Sequence, residues 1–238
     1  MHTKFLASSL MAFCLSATAT AAATDFPKAP VTTNNDPTVQ LQAQLLDRDN
    51  STIRGQLTAF ALPNKIGVKV FARFTGLPDG EPLSAYSLLF LPPVYHTHPR
   101  IIPIPPSYIV SLTNKIMEIE YHIHVNRVPE DGNCYATGGH LDPYKRTDTP
   151  PCDINAPETC EVGDLSGKHG PIWAANGQSF DILYTDFFIS NEAGSPAYFG
   201  DRSLVVHAAD NTRLNCGNFE VVDGFFGGLK DAIHAVGY

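Results

Sequence analysis

Two histidines separated by one residue, His122 and His124, lie in the stretch YHIHV, and His140 follows after a glycine turn. In a β-strand, residues two apart project from the same face with a separation of about 7 Å. The two imidazoles of YHIHV therefore point to one side and can share a metal ion. A His-x-His pair alone is nevertheless a weak signal, because a solvated strand face is the more common reason for it.

Further histidines distinguish the two His-x-His pairs of the chain. His207 lies in the strand-like run SLVVHA, so the pair in YHIHV has two additional imidazoles as partners. Four imidazoles suit copper or zinc, and a nearly square-planar arrangement favours Cu(II). The second pair, His96 and His98 in YHTHP, lies in a proline-rich segment without such partners. We therefore predict a transition-metal site around the first pair.

Short runs of alternating or β-branched residues must position these histidines, and links rich in Gly, Pro, Asn and Asp separate the runs. The predicted strand regions are 53–62, 66–74, 117–125, 180–190, 203–208 and 219–225. No long stretch has helical periodicity, and no repeat of solenoid length is present. This spacing predicts an all-β sandwich or barrel of antiparallel strands.

The first residues have the order of a secretory signal peptide, in which Lys4 precedes a short apolar run and small residues follow. That run is too short to span a bilayer. The C-terminal residues lack the hydrophobic tail of a lipid-anchor signal, so we expect a secreted, extracellular protein without a membrane anchor.

The net charge of −8 argues against nucleic acid as a partner. One sequon, Asn50-Ser51-Thr52, offers an acceptor for a glycan.

Loss of the signal peptide removes Cys14 and leaves four cysteines, Cys134, Cys152, Cys160 and Cys216. An even number of cysteines in an exported protein favours disulfides, and three pairings are open at this point. A zinc site of four cysteines is disfavoured because no two of them have Cys-x-x-Cys spacing.

The histidines and cysteines lie in motifs that occur in a specific order. These motifs are His-x-His in YHIHV, Gly-His-x-x-Pro in GGHLDP, Val-Gly-Asp-Leu in EVGDLSG, Val-Val-His in LVVHA and Arg-x-x-Cys in RLNC. In this combination the chain resembles the copper/zinc superoxide dismutase superfamily, and within it the extracellular copper-only branch. The resemblance covers residues 117–219 well and 51–83 loosely, and it implies a Greek-key β-sandwich.

The resemblance assigns one copper ion per chain to four histidine ligands, His122, His124, His140 and His207. Zinc is not expected, because the two further histidines that a zinc site needs between His140 and Asp164 are absent. Glu161 stands where the resemblance places a zinc histidine, and Asp164 keeps the acidic zinc position. Only five residues separate His207 from Arg213, so the long electrostatic loop of zinc-bearing relatives is missing. The copper is therefore expected to be open to solvent.

Two disulfides and an arginine also follow from the resemblance. Cys134 and Cys216 match the intrasubunit disulfide of the family. Cys152 and Cys160 lie in the loop that has lost its zinc ligands, and their pairing is typical of the copper-only branch. Arg213, three residues before Cys216, matches the arginine beside the copper that attracts superoxide.

The implied reaction is the dismutation of superoxide to dioxygen and hydrogen peroxide, and its second half consumes two protons. Glu161 is expected to orient the free nitrogen of His140 and to relay protons. Asp164 is expected to brace Glu161 or a ligand histidine. Solvation of a loop is the alternative role for the two carboxylates, and a surface ion pair is the alternative for Arg213.

The expected organisation is a signal peptide at 1–23, one β-sandwich domain at 24–225 and a C-terminal tail at 226–238. Residues 84–116 form a proline-dense insertion, whereas the resemblance joins the flanking strands almost directly. We therefore hypothesise that this insertion is an unspliced intron translated into the sequence. The loop at 141–171 carries Cys152 and Cys160, and we predict that a disulfide cross-links it. Its length also indicates a functional role.

Three alternative functions fit these residues less well. A secreted protein that buffers copper without turnover needs neither Arg213 nor Glu161, and an inactive sandwich used for cell-surface contacts is expected to lose ligands. A copper monooxygenase needs a histidine at the new N-terminus, and none lies near Thr24. The sequence leaves the oligomeric state open, and a monomer is compatible with it.

Overall fold

The structure, a computed structural model, describes four stretches of the chain, residues 26–77, 119–172, 179–208 and 210–222. Three predicted features lie outside the described residues: the signal peptide at 1–23, the insertion at 84–116 with its histidine pair, and the tail at 226–238. Within the described stretches, no helix combines the length and the hydropathy that crossing a bilayer requires.

The described chain is built almost entirely from antiparallel strands. They are β1 (Gln40–Gln44), β2 (Arg54–Ala61), β3 (Val68–Thr75), β4 (Ile119–His124), β5 (Phe180–Asp186), β6 (Ser203–Ala208) and β7 (Arg213–Val221). The described helices are short: α1 (Leu165–His169) and the 3-10 helices Cys134–Thr137 and Pro157–Thr159. The all-β prediction is confirmed.

The strands form one sheet in the order β4-β6-β7-β1-β2-β3-β5, and every neighbouring pair is antiparallel. Crossing connections link β4 to β5 and β5 to β6, as in a Greek key. The sheet curves around its core, because the rings of Phe74 on β3 and Tyr121 on β4 lie 5.7 Å apart although four strands separate them in the sheet. The hydroxyl groups of Tyr121 and Tyr184 are 3.3 Å apart and join the two edge strands. The result is a half-barrel.

The strand that carries the His-x-His pair is fixed by its other face. Tyr121 and Ile123 are fully buried in the hydrophobic core. Burial of a large apolar side chain stabilises a fold by about 1.5–3 kcal/mol. Side chains alternate along a strand. His122 lies between these two residues and His124 follows them, so both histidines must face away from this core.

Two strands differ from the sequence expectation. The strand predicted at 219–225 overlaps β7 only at its end, because β7 begins at Arg213 and ends at Val221, while residues 223–225 lie outside the described stretches. Tertiary contacts make this polar stretch a strand: the amide of Asn215 donates to the carbonyl oxygens of Leu46 and Ile53, at 2.9 Å each. The short strand β1 was not predicted, and it pairs with both β2 and β7.

Candidate metal centre

Four histidines converge on the face of strands β4 and β6 that points away from the core, His122, His124, His140 and His207. Each offers one ring nitrogen, and these nitrogens all lie within 4.8 Å of one another. Three of the four are buried, with exposed fractions of 1–3%. The structure thus brings together the whole predicted histidine set from three separate segments.

His140 reaches the cluster because its segment adds to the free edge of β4. The amide of Val125 donates to the carbonyl of Gly139 at 3.0 Å, and the amide of Leu141 donates to that of Ile123 at 2.8 Å. His140 therefore lies opposite His124 in an antiparallel bridge. The glycines before His140 allow the turn, and Gly138 has a positive φ of 76°.

His207 approaches from β6, the neighbour of β4 on the other side. A register shift between Val206 and His207 interrupts the pairing of β6 with β7 at this point. Nε2 of His207 lies 2.9 Å from Nε2 of His124. Two nitrogens that bind one ion at about 2.0 Å and at a right angle are separated by roughly 2.9 Å, so this distance fits two adjacent ligands of a metal.

The partners of the other ring nitrogens show which atoms face the centre. Nδ1 of His124 donates to the carbonyl of Gly138 at 2.8 Å, and Nδ1 of His140 contacts Oε2 of Glu161 at 2.6 Å. Both residues are thereby left with Nε2 as the free atom. Nε2 of His122 lies 3.4 Å from Oδ1 of Asp164, whereas its Nδ1 is buried without a hydrogen-bond partner among the described residues. A buried nitrogen without a partner is costly, and a bound metal ion would satisfy it.

Burial keeps three of the imidazoles neutral. It lowers the pKa of His124 to about 2 and that of His207 to about 3, with neighbouring histidines adding to the effect. Burial also lowers the pKa of His122, because its effect is larger than the opposing effect of Asp164. Neutral imidazole is the form that binds a metal, so the cluster is prepared to take up an ion.

The carboxylates have the opposite influence on His140. Burial lowers its pKa, but the hydrogen bond and the charge of Glu161 outweigh burial and raise it. Burial by itself raises the pKa of Asp164, yet the contacts with His122 and the amide of Gly167 lower it. Both predicted carboxylates thus contact a histidine of the cluster, and Asp164 also caps the N-terminus of α1.

Arg213 lies beside the cluster and is held by three acceptors. Its Nη1 donates to the carbonyl of Cys134 and to Oγ1 of Thr137, and its Nη2 donates to the carbonyl of Gly138 at 2.5 Å. The ring of Tyr135 covers the guanidinium at 5.3 Å. A guanidinium has five N–H donors, so two remain for an anion in the cavity of about 370 Å³ that Arg213 and three of the histidines line.

Both disulfides expected from the resemblance are formed in the structure, Cys134–Cys216 and Cys152–Cys160. The first joins two elements that meet at Arg213. One is strand β7, which begins at Arg213, and the other is the 3-10 helix Cys134–Thr137, whose Cys134 carbonyl and Thr137 hydroxyl accept from this arginine. The second closes a short loop immediately before Glu161.

Sequence reasoning missed the residues that hold the site in place. Thr137 and Gly138 position Arg213, and Tyr135 packs on it. The glycine pair before His140 was a usable signal for a turn, whereas nothing in the sequence pointed to Tyr135. His169 is the last residue of α1, and its Nε2 lies 2.8 Å from Oδ2 of Asp186.

Comparisons with known proteins agree with this geometry, although no family model matches the sequence. A cell surface Cu-only superoxide dismutase of Arthroderma benhamiae is 37% identical over 214 residues, which are 87% of this chain and 53% of that protein. Cell surface Cu-only superoxide dismutase 5 of Candida albicans is 41% identical over 113 residues, which are 48% of this chain and 46% of that protein. The chain spans about half the length of the curated relatives it matches.

Solved structures give the same result. The structure of Candida albicans superoxide dismutase 5 with Cu(II) is similar with a TM-score of 0.55 and 29% identity, and the match covers 81% of this chain and 97% of that one. Two variants of the same enzyme, each with one glutamate replaced, match with TM-scores of 0.56.

Proposed function

The chain is a homologue of the cell-surface copper-only superoxide dismutases, and from this we propose that it converts superoxide to dioxygen and hydrogen peroxide at a copper site. The observation that carries the proposal is the convergence of four imidazole nitrogens within 4.8 Å beside a cavity that Arg213 also lines. We assign copper binding to His122, His124, His140 and His207, with one ion per chain.

The donor set suits copper because it consists of imidazoles alone. When bound, copper supplies one-electron chemistry by alternating between Cu(II) and Cu(I). The chain would contribute Nδ1 of His122, which has no hydrogen-bond partner among the described residues, and Nε2 of His124, His140 and His207. The other nitrogen of His124 and of His140 is engaged in a hydrogen bond, and Nε2 of His207 lies 2.9 Å from Nε2 of His124. These contacts fix the ring orientations before the metal arrives.

Arg213 attracts and orients superoxide. Three bonds to Cys134, Thr137 and Gly138 restrict its guanidinium to one position. A fixed cation at the mouth of a cavity raises the local concentration of a small anion and its rate of association. The net charge of the chain is negative, so this local cation is what makes the approach favourable.

Glu161 supplies the proton path that the reaction needs, because two superoxide ions and two protons yield one dioxygen and one hydrogen peroxide. Its carboxylate holds the Nδ1–H of His140 at 2.6 Å and lines the cavity. It can therefore orient Nε2 of His140 and pass protons from solvent to the site. Asp164 braces the neighbouring ligand His122 through its Oδ1 at 3.4 Å.

We do not expect a zinc ion. The region between His140 and Asp164 contains no histidine, and Glu161 is already engaged with His140. The relatives are named as cell-surface proteins, and the predicted signal peptide is consistent with an extracellular location for this chain.

The test is to purify the protein, load it with copper, and measure metal content and superoxide dismutation on the same sample. One copper per chain, no zinc and rapid dismutation are the expected results. Bound copper without dismutation would instead identify a copper buffer. The matched variant is His207→Gln, which should lose both the copper and the activity.

A further inference from the structure

Arg146 is an arginine buried to an exposed fraction of 4%, and it borders a cavity that His122, His140 and Glu161 also line. Its guanidinium donates to four backbone carbonyls of the loop that follows His140. Nε donates to Thr159, Nη1 donates to Thr147 at 2.7 Å and to Pro150, and Nη2 donates to Pro151 at 3.2 Å. Four of its five N–H donors are therefore used on main-chain oxygen atoms.

This arrangement differs from an ordinary buried arginine. Among the described residues, Arg146 forms no ion pair with a carboxylate, although other arginines of the chain do. Burial of an unpaired charge is expensive, so the carbonyl dipoles, together with the ring of Phe26 at 5.0 Å, must compensate it. The guanidinium thus lies among oxygen atoms from both ends of one loop, as a hard metal cation does.

The carbonyls come from two segments, one that precedes the loop closed by the Cys152–Cys160 disulfide and one inside that loop. Thr147 precedes the disulfide loop, whereas Thr159 lies at its end, two residues before Glu161. The bond from Arg146 to Thr159 therefore fixes the backbone that presents Glu161. Glu161 in turn contacts Nδ1 of His140 at 2.6 Å.

We propose that Arg146 is a positioning residue that orders the loop at residues 147–161 and thereby sets Glu161 against His140. Its guanidinium cross-links the loop through contacts with several carbonyl groups. A bound metal ion orders a loop in the same way, by binding oxygen atoms from different parts of it. This inference has two parts. The effect of Arg146 on catalysis through Glu161, its catalytic half, rests on the proposed dismutation, whereas the ordering of the loop does not.

The first measurement is hydrogen exchange of copper-loaded protein in which Arg146 is replaced by Met or by Lys. Amides hydrogen-bonded within the loop, those of Ala156, Thr159 and Cys160, are the reporters. Arg146→Met should raise their exchange rates by about 10-fold or more. Arg146→Lys keeps the charge but lacks the planar fork and should give an intermediate increase.

The matched control is Arg73→Met, because Arg73 pairs with Asp181 on the exposed side of the sheet. It should leave the exchange of the loop amides unchanged. Unchanged loop exchange in both Arg146 variants would overturn the proposal. The same is true if all amides of the protein exchange faster to an equal degree.

The second measurement is a double-mutant cycle with Glu161→Gln, read as the rate of dismutation per bound copper. If Arg146 acts through Glu161, each single variant slows the reaction, and the double variant is no slower than Glu161→Gln alone. If the double variant instead slows the reaction by the product of the two single effects, Arg146 does not act through Glu161. If the copper-loaded wild-type protein does not dismutate superoxide, the proposed function and the catalytic half fail together, while exchange still decides the ordering of the loop.

Discussion

His124 and Arg213 share one hydrogen-bond acceptor, the carbonyl oxygen of Gly138. Nδ1 of His124 lies 2.8 Å from this oxygen, and Nη2 of Arg213 lies 2.5 Å from it. The imidazole that faces the metal centre and the guanidinium that faces the cavity are therefore fixed to the same point of the backbone. A displacement of this turn must move both groups.

Gly138→Ala tests this coupling. Gly138 has a φ of 76°, and an added Cβ would lie 2.9 Å from Cγ2 of Val125 and 3.0 Å from Nδ2 of Asn126. With a ψ of −150° this backbone conformation is essentially restricted to glycine, and adopting it costs a residue with a Cβ on the order of 1–3 kcal/mol. We expect weaker copper binding and slower dismutation together, measured by competition with a chelator and by a superoxide assay.

Gly139→Ala is the matched control, because a Cβ at Gly139 meets no atom within 4 Å. It should leave copper affinity and rate close to those of the wild type. Equal effects of the two substitutions would show that the shared carbonyl has no special role.

Arg213→Ala should slow dismutation by on the order of 10-fold or more at low ionic strength, because the fixed cation at the cavity is lost. Copper content should not change, since Arg213 is not a predicted ligand. The dependence of the rate on salt should also become weaker. Stopped-flow kinetics at several salt concentrations measures both effects, and an unchanged rate would remove Arg213 from the mechanism.

Glu161→Gln should lower the pKa of His140 in the metal-free protein. Glu161 raises this pKa against the effect of burial, so burial dominates once the carboxylate is gone. Titration of the histidine ring signals by NMR measures the change. A pKa of His140 that does not fall would mean that the contact with Glu161 is not formed in solution.

The buried pair of Lys168 and Asp186 should control acid stability. Their charged atoms are 2.6 Å apart, and both side chains are fully buried. Burial raises the pKa of Asp186, but Lys168 and His169 together lower it below its ordinary value. The pair therefore stabilises the fold above about pH 4, the pKa of an unfolded Asp. This contribution is lost as the pH falls through the lower folded pKa.

Asp186→Asn should accordingly destabilise the protein by about 3–5 kcal/mol near pH 7, because it leaves a buried ammonium group without its partner. In this variant the free energy of unfolding should also fall less steeply with pH below pH 4. Urea unfolding at a series of pH values measures both. Asp181→Asn, which breaks the exposed pair with Arg73, is the control and should change little.

Strand periodicity was sufficient to predict part of the site. The alternation in YHIHV places Tyr121 and Ile123 in the core and therefore turns His122 and His124 to the other face, as the structure shows. The approach of His140 depends on long-range pairing with the edge of β4, which no local pattern encodes. His140 was a candidate because it follows a glycine turn and lies in a family motif, but neither observation predicted the pairing with β4.

Residues that act through the backbone were beyond the reach of sequence patterns. The start of β7 is polar, and it is a strand because the amide of Asn215 satisfies two carbonyls of a distant loop. Arg146 is a single arginine in a loop, and its burial among four carbonyls follows only from the folded path of the chain. Such contacts are tertiary, so propensity and spacing do not contain them.

The pairing of residues 139–141 with β4 has a consequence for the solubility of the protein. An unpaired edge strand is a template for intermolecular β-sheet formation and for aggregation. The backbone bonds that deliver His140 to the cluster also occupy the outer edge of β4. A chain in which this segment detaches exposes a strand rich in β-branched and aromatic residues, so loss of the metal-binding geometry and self-association begin with the same event.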